Sequence, residues 1–216
     1  MAHRPSRERH RDSSRAQLID PDPPTVQTRG MVIVITGPIA SGKSTVAGEL
    51  AHELERMDVR AEVIDLDLVH GRLTSDEATS DDSTWALARR EVATVANAFL
   101  AKGVAVVIAD GSFNLPSDRA AFVEHLRPSP GLVFVTLQVS FEEALRRAQG
   151  DPTRGVSQDP QFLGSHFAAR HDVLAAVPAT DIMIDTERTT ATAAAKKVAR
   201  LLVTFPRAGC RPLRSA

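Results

Sequence analysis

Gly37-Pro38-Ile39-Ala40-Ser41-Gly42-Lys43-Ser44-Thr45 is the stretch on which the reading of this chain turns. Residues 37 to 44 match G-x-x-x-x-G-K-[ST]. Upstream lies Met31-Val32-Ile33-Val34-Ile35, short, apolar and β-branched, as a strand buried on both faces should be. Downstream, Val46, Leu50 and Leu54 recur at i, i+4 and i+8, the stripe of an amphipathic helix. The pattern predicts a strand over 31–36, a glycine loop over 37–43 and a helix over 43–57.

Gly37 and Gly42 permit backbone angles and a close approach that a Cβ would block. The backbone of Gly37, Ile39, Ala40, Ser41, Gly42, Lys43, Ser44 and Thr45 can then turn its N–H groups into one concavity, at the positive end of the following helix. Such a concavity suits a di- or triphosphate. Lys43 would reach the β- and γ-phosphates, and the Ser44 hydroxyl would sit on Mg²⁺. Thr45 would support the α-phosphate side. Lys43 stands in a lysine-poor chain: the other lysines are at 102, 196 and 197, while arginine is abundant. The expected ligands are ATP and Mg²⁺.

Composition sets the frame. A chain of 216 residues with 43% hydrophobic content fits one domain plus tails. The net charge of −1 gives no global field toward nucleic acid or membrane, and neither partner is expected. Cys210 is the one cysteine, which excludes a disulfide framework and a cysteine metal site. The histidines lack ligand spacing; His166 and His171, five apart, do not share a helical face. Residues 1–29, basic and then Pro-rich, read as a disordered tail. Residues 30–205 read as one folded domain and 206–216 as a flexible C-terminal tail. No apolar h-region or membrane-length run is seen, so the expected compartment is the cytoplasm, for a monomer or homodimer. Deleting residues 1–28 is expected to leave activity intact, checked by measuring the ATP turnover of the shortened chain.

Taken in order, the chain alternates strands and helices. Residues 61–64 read as a second strand ending in Asp65-Leu66-Asp67. Thr74 to Ser83 reads as a mobile polar loop. A helix follows from Thr84 to Lys102, closed by Gly103. Val104 to Ala109 is a third strand, ending in Asp110-Gly111-Ser112-Phe113. Ser117 caps a helix through Arg127, and Pro128 to Gly131 breaks it. Leu132 to Val139 is a fourth strand. Ser140-Phe141-Glu142-Glu143 is a capping box for a helix to Gln149. Gly150 to Gly155 is a loop, Asp159-Pro160 opens a helix to Ala176, and Asp181 to Asp185 is a fifth strand. A last helix covers 191–203. Five apolar strands alternating with helices predict an α/β three-layer sandwich, a parallel sheet with helices on both faces.

In such a sheet, ligands gather at the carboxyl ends of the strands. Those ends present the glycine loop, then Asp65 and Asp67, then Asp110. Asp65 and Asp67 lie two apart, so on an extended segment both face one side. One would hold a Mg²⁺-bound water while the other accepts a hydroxyl proton. Asp110 is either a metal-side carboxylate or a turn-forming Asp-Gly. Arg147 and Arg154 bracket a Gly/Pro loop that would close as a lid over ATP. Arg146 reads as solvated. Arg89, Arg90 and Arg119 either bind an anionic acceptor or sit on the surface, and Trp85 reads as a core or pocket-wall residue.

At these residues the chain resembles the small-molecule P-loop kinases: shikimate kinase, gluconate kinase, adenylylsulfate kinase and chloramphenicol phosphotransferase-like enzymes. The resemblance spans about residues 31 to 204 and implies a P-loop NTPase sandwich of strand order 2-3-1-4-5. Glu142 through Arg154 looks like the shikimate kinase lid, which implies Arg147 against the adenine and Arg154 on the γ-phosphate. The D-x-D after the second strand implies a Mg²⁺-side role for Asp65 and an acceptor role for Asp67. Residues 111–119 look more like the matching segment of adenylylsulfate kinases than like the triple glycine of shikimate kinases, and Gly150-Asp151 with Gly155 is similar to chloramphenicol phosphotransferase.

The function expected is transfer of the γ-phosphate of MgATP to the hydroxyl of a small molecule, a metabolite or an antibiotic. Lys43, Asp65, Asp67 and Arg154 form the expected catalytic set, with Ser44, Asp65 and Asp110 on the metal side and Arg147 with the nucleotide. A nucleoside or nucleotide kinase and an ATP-binding regulatory module without transferase activity are the alternatives. A regulatory GTPase is disfavoured, because the only asparagines, Asn97 and Asn114, are not followed by lysine.

Overall fold

The strand β1 (Met31–Thr36) lies at the centre of the sheet, its Val32 to Thr36 fully buried. It is flanked by β3 (Val106–Asp110) and β4 (Gly131–Gln138), with β2 (Ala61–Asp65) and β5 (Ile182–Asp185) at the edges. All pairings are parallel and the order is 2-3-1-4-5. This is a computed structural model, and it describes residues 30–74, 82–127, 129–169, 178 and 181–204. The two tails, the mobile-loop reading of residues 75–81 and the helix expected over 170–176 lie outside the described residues.

Alternation along β1 sorts the core into two layers. Ile33 and Ile35 pack with Leu50 and Leu54 of α1 (Lys43–Glu55) and with Val198 of α7 (Ala191–Thr204). Val32 and Val34 pack with Ala88, Val92 and Ala96 of α3 (Asp82–Ala101) and with Phe122 of α4 (Pro116–Val123). Phe113 and Phe122 meet edge to face, ring centres 5.2 Å apart. Full burial of each such side chain contributes on the order of 1.5–3 kcal/mol. A smaller third cluster joins Ala40 of the glycine loop to α5 (Phe141–Gln149) and to Leu163 of α6 (Pro160–Ala168). Among the described residues no helix is long and apolar enough to cross a membrane.

Several local expectations are corrected by capping chemistry. The chain turns into a helix at once after β2: α2 spans Leu66–Leu73, with Asp65 as its N-cap. Asp65 Oδ1 accepts from the N–H groups of Asp67 (2.8 Å) and Leu68 (3.1 Å). Asp65 and Asp67 are therefore a cap and a first-turn residue, not neighbours on extended backbone. The helix α3 begins at Asp82, two residues earlier than read. The helix α4 begins at Pro116, not at a Ser117 cap, and Asp118 accepts from the Leu115 N–H at 3.0 Å. The helix α5 forms only half of its box. Ser140 Oγ accepts from the Glu143 N–H at 3.3 Å, but the Ser140 N–H goes to Glu187 Oε1 at 2.6 Å. The loop 150–155 runs into 3₁₀ turns over Pro152–Gln158, interrupted at Gly155 (φ 49°).

Candidate active site

The carboxyl ends of β1, β2 and β3 come together at one place. Asp110 is in register with Ile35 on one side and with Asp65 on the other. It lies within β3 and is 2% exposed, so it is a strand residue and not a turn former. Burial pushes its carboxyl up to about 6 from an ordinary 3.8. The Ser44 hydroxyl, which hydrogen-bonds it, opposes that rise, Asp65 adds to it, Lys43 opposes it and Asp67 adds to it. The fold thus puts Ser44 in hydrogen-bond contact with Asp110 and brings Lys43, Asp65 and Asp67 within electrostatic reach of it.

This arrangement has a measurable consequence. A carboxyl whose folded pKa is raised contributes stability that is complete below about 3.8 and is lost as pH rises through about 6. A shift of that size corresponds to about 3 kcal/mol. In the metal- and nucleotide-free protein, the unfolding free energy of wild type relative to Asp110→Asn should fall by about that amount between pH 4 and pH 7. Urea titrations at the two pH values read it, and a pH-independent difference would sink the buried-carboxyl assignment.

The glycine loop is built as a cradle. Gly37 and Gly42 have φ of 151° and 90°, and a Cβ on Gly37 would stand 2.7 Å from the Leu137 carbonyl oxygen. Ala40 also takes a left-handed angle, φ 59°, at a cost of roughly 1–2 kcal/mol. Gly42 is the N-cap of α1 and supplies no side-chain cap, and no acidic residue sits in that first turn. The Ser41 hydroxyl oxygen is buried without a hydrogen-bond partner. Lys43 Nζ donates to the carbonyls of Gly37 (3.3 Å) and Pro38 (3.1 Å), folded over the loop. An open positive helix end, a lysine and an orphaned buried hydroxyl fit a polyphosphate. Ser44 beside Asp110 and Asp65 fits an oxygen-preferring divalent cation of the Mg²⁺ kind, several of whose positions water and phosphate would fill.

The arginines divide. Arg147 links three segments: its guanidinium donates to Glu143 Oε1 (2.7 Å), to the Ala40 carbonyl (3.3 Å) and to the Thr186 carbonyl (2.7 Å). It lies against the glycine loop, at the side where β4 and β5 end. Glu143, bonded by Arg146 and then Arg147, is held down at about 2. Arg146 is exposed, as read from the sequence. Arg154 stands on the exposed 3₁₀ segment and pairs with Asp151 at 3.2 Å. The structure therefore brings Arg147 to the glycine loop and holds Arg154 in a local ion pair.

Of the three other arginines singled out, only Arg90 is exposed. Arg89 is 8% exposed, with Nη2 3.2 Å from Asp118 Oδ1 and Nε donating to the Ser112 carbonyl at 3.0 Å. Arg119 makes a two-pronged pair with Asp181 at 2.9 and 2.7 Å and donates to the Phe113 carbonyl. Thr136 Oγ1 donates to the same Asp181 carboxylate at 2.8 Å. Trp85 stacks on His70, ring centres 3.7 Å apart, and is half-buried against the core layer of α3. Thr36 and Asn114, hydrogen-bonded at 2.9 Å, were not singled out from the sequence as site residues; they tie β1 to the segment after β3. A buried threonine ending a β-branched run was the available signal.

Comparison with known proteins bears on this geometry. The profile of the AAA domain matches residues 32–161, more than half of the chain. The adenylyl-sulfate kinase of Paraburkholderia xenovorans (strain LB400) is 33% identical over 187 residues, 83% of this chain and 96% of that enzyme. The adenylyl-sulfate kinase of Shigella flexneri is 41% identical over 81 residues, 38% of this chain, and that match spans only 40% of the enzyme's length. Among solved structures, the Mycobacterium tuberculosis APS kinase CysC in complex with AMPPNP and APS superposes with a TM-score of 0.59 at 21% identity, covering 82% of this chain and 99% of that one. The last likeness is one of fold, the 2-3-1-4-5 sandwich of the P-loop kinases. Profile, near-full-length relative and sheet order agree, and the chain belongs to the AAA-domain family of P-loop proteins, among the small-molecule P-loop kinases.

Proposed function

We propose that this protein transfers the γ-phosphoryl group of MgATP to a hydroxyl of a small molecule, a metabolite or an antibiotic. The observation that carries the reading is the buried Asp110, hydrogen-bonded by Ser44 and within electrostatic reach of Lys43, Asp65 and Asp67, beside the start of an α1 that has no side-chain cap. MgATP supplies the phosphoryl group and a cation that neutralises charge on it. The chain's own groups do the rest. The loop N–H groups and Lys43 hold the phosphates in line. Ser44, Asp65 and Asp110 stand on the metal side. Asp65 spends Oδ1 on the α2 cap and keeps its other oxygen for that role. Asp67, exposed in the first turn of α2, orients the acceptor hydroxyl and takes its proton. Arg154 closes over the γ-phosphate with its segment, and Arg147 sits beside the base.

The experiment is ATP turnover with and without a panel of hydroxylated acceptors, for wild type and Lys43→Ala. Acceptor-stimulated turnover that depends on Lys43 supports the reading. Tight ATP binding with no transfer to any acceptor favours an ATP-binding regulatory module instead. Adenylyl sulfate enters the panel because two relatives are adenylyl-sulfate kinases.

Arg147→Ala removes hydrogen bonds from a charged donor to two carbonyls beside the nucleotide, each worth about 1.5–3 kcal/mol. The KM for ATP should rise roughly 10-fold or more while kcat changes less, since these contacts exist before the reaction begins. Initial-rate kinetics over an ATP series separates the two. An unchanged KM would place Arg147 outside the nucleotide site.

A further inference from the structure

Gly111 follows Asp110 and is buried against Leu66, the residue between Asp65 and Asp67. A Cβ on Gly111 would stand 2.5 Å from the Leu66 Cβ, 2.9 Å from its Cδ2 and 3.2 Å from its Cγ. A clash with the tip of a side chain is relieved by a change of rotamer. A clash with a Cβ is not, because that atom moves only with its backbone. Leu66 is fully buried and is the first residue of α2. A methyl group on residue 111 would therefore displace the turn that carries the Asp65 cap and Asp67. Gly111 also has φ 151°, a backbone angle that other residues rarely adopt.

The two sides of this contact are not equally held. The Gly111 N–H donates to the Ile35 carbonyl at 3.1 Å. The Phe113 N–H donates to Thr36 Oγ1 at 2.9 Å, and that hydroxyl donates on to Asn114 Oδ1 at 2.9 Å. Thr36 is fully buried and directly precedes Gly37, where the glycine loop begins. Arg89 Nε donates to the Ser112 carbonyl at 3.0 Å and Arg119 Nε to the Phe113 carbonyl at 3.1 Å, each arginine paired with its own carboxylate. Residues 111–114 are thus tied to β1, α3 and α4. In α2, by contrast, Asp67, Leu68, Gly71, Arg72 and Leu73 are exposed. If the contact is overfilled, α2 is the side that gives way.

We infer that Gly111 is a positioning residue for phosphoryl transfer: its missing Cβ sets how closely α2 approaches β3 and so holds Asp67 at its working distance from the glycine loop. Thr36 anchors the other end of the linkage. The inference deepens the phosphotransferase reading and rests on it. A continuous run of contacts joins the loop to the acceptor carboxylate. Thr36 is bonded to Gly37 and holds Phe113 and Asn114, Gly111 bears on Leu66, and Leu66 is bonded to Asp67. Asp65 and Asp110 are held separately, by the register of β2 on β3. Displacing a reacting group by about 1 Å costs on the order of 10²-fold in rate.

The first arm of the test needs no acceptor. Trp85, the chain's single tryptophan, lies on α3 and stacks on His70 of α2, ring centres 3.7 Å apart. Its emission therefore reports where α2 lies, and His70→Ala gives the emission of an unstacked Trp85. Gly111→Ala should move the emission from the wild-type value toward that of His70→Ala, with the Kd for Mg·AMP-PNP changed by less than about 3-fold. Unchanged emission in a variant that still binds Mg·AMP-PNP overturns the inference. If Gly111→Ala does not fold, Thr36→Val and Thr36→Ser take its place. Thr36→Val, which loses the hydroxyl, should move the emission, and Thr36→Ser, which keeps it, should restore it. Wild-type emission in Thr36→Val overturns the inference.

The second arm reads kcat with the panel acceptor that gives the highest turnover. Gly111→Ala should lower kcat roughly 10²-fold. Asp67→Asn by itself should cost about 10²-fold or more, the scale for losing a positioned base. In that background Gly111→Ala should change kcat by no more than about 3-fold, because the group it misplaces is already gone. An unchanged kcat in Gly111→Ala, or an equal loss in both backgrounds, overturns the inference and leaves the kinase reading standing. No acceptor-stimulated turnover in wild type counts against the kinase reading alone. The emission arm still decides whether Gly111 sets the place of α2.

Discussion

Lys43→Ala is expected to lower acceptor-stimulated ATP turnover roughly 10²- to 10³-fold, the scale for removing one preorganised charge contact to a transition state. The lysine is folded over the loop on the carbonyls of Gly37 and Pro38, so it needs little rearrangement to meet a phosphate. No other lysine precedes residue 102, and no neighbour can take its place. Arginine should not rescue: its planar fork is larger than the compact ammonium the loop surrounds. Loss of two bonds to loop carbonyls at a half-buried site should leave the thermal midpoint nearly unchanged, which separates a catalytic effect from unfolding. Turnover within about 3-fold of wild type would remove the glycine loop from the chemistry, because it falls far below that 10²-fold scale.

Arg154→Ala carries the second large effect: kcat falls roughly 10²-fold with little change in the KM for ATP. In the structure this guanidinium is tied to Asp151 at 3.2 Å, and both side chains are 41% exposed. The Asp151 carboxyl is held below its usual range, first by the Thr153 hydroxyl and N–H and then by Arg154. Magnitudes settle whether that tie prevents the proposed role. An exposed pair of this kind is worth about 0.2–1 kcal/mol, while a contact to developing phosphoryl charge is worth about 2.7–4 kcal/mol. On the proposed role, the exchange of partners would run toward the nucleotide. Asp151→Asn should change kcat by no more than about 5-fold. An unaltered kcat in Arg154→Ala would take the exposed 3₁₀ segment out of the mechanism.

The sheet was legible because continuous β-branched runs such as Val32 to Ile35 and Val106 to Ile108 have no stable place except between two helical layers. The loop was legible because its residue types answer to one task. What escaped reading depended on partners distant in sequence. Asp65-Leu66-Asp67 looks like the end of a strand, yet its first carboxylate caps α2 and converts extended backbone to helix within one residue. Ser140 to Glu143 looks like a reciprocal cap, but Glu143 is claimed by Arg146 and Arg147, and Glu187, just past the neighbouring strand β5, accepts from the Ser140 N–H. Arg119 looked like a surface cation or an anion receptor. Its partner Asp181 is 62 positions away, beyond any local pattern. The expected grouping of Ser44, Asp65 and Asp110 appeared in space because three adjacent strands end at one level, a fact of register rather than of motif.

The central place of β1 also governs how the chain is made. This strand leaves the ribosome before either neighbour: Ile33 waits for Ile108 and Val133, which follow 75 and 100 residues later (108 − 33 and 133 − 33). At roughly 5–20 residues per second, that is several seconds during which Met31 to Thr36 has no ladder partner. A six-residue stretch without charge or proline is then open to pairing with another chain. Until residue 138 has emerged to complete β4, the phosphate loop hangs from a strand without its full ladder, the stage at which association between nascent chains is most favoured.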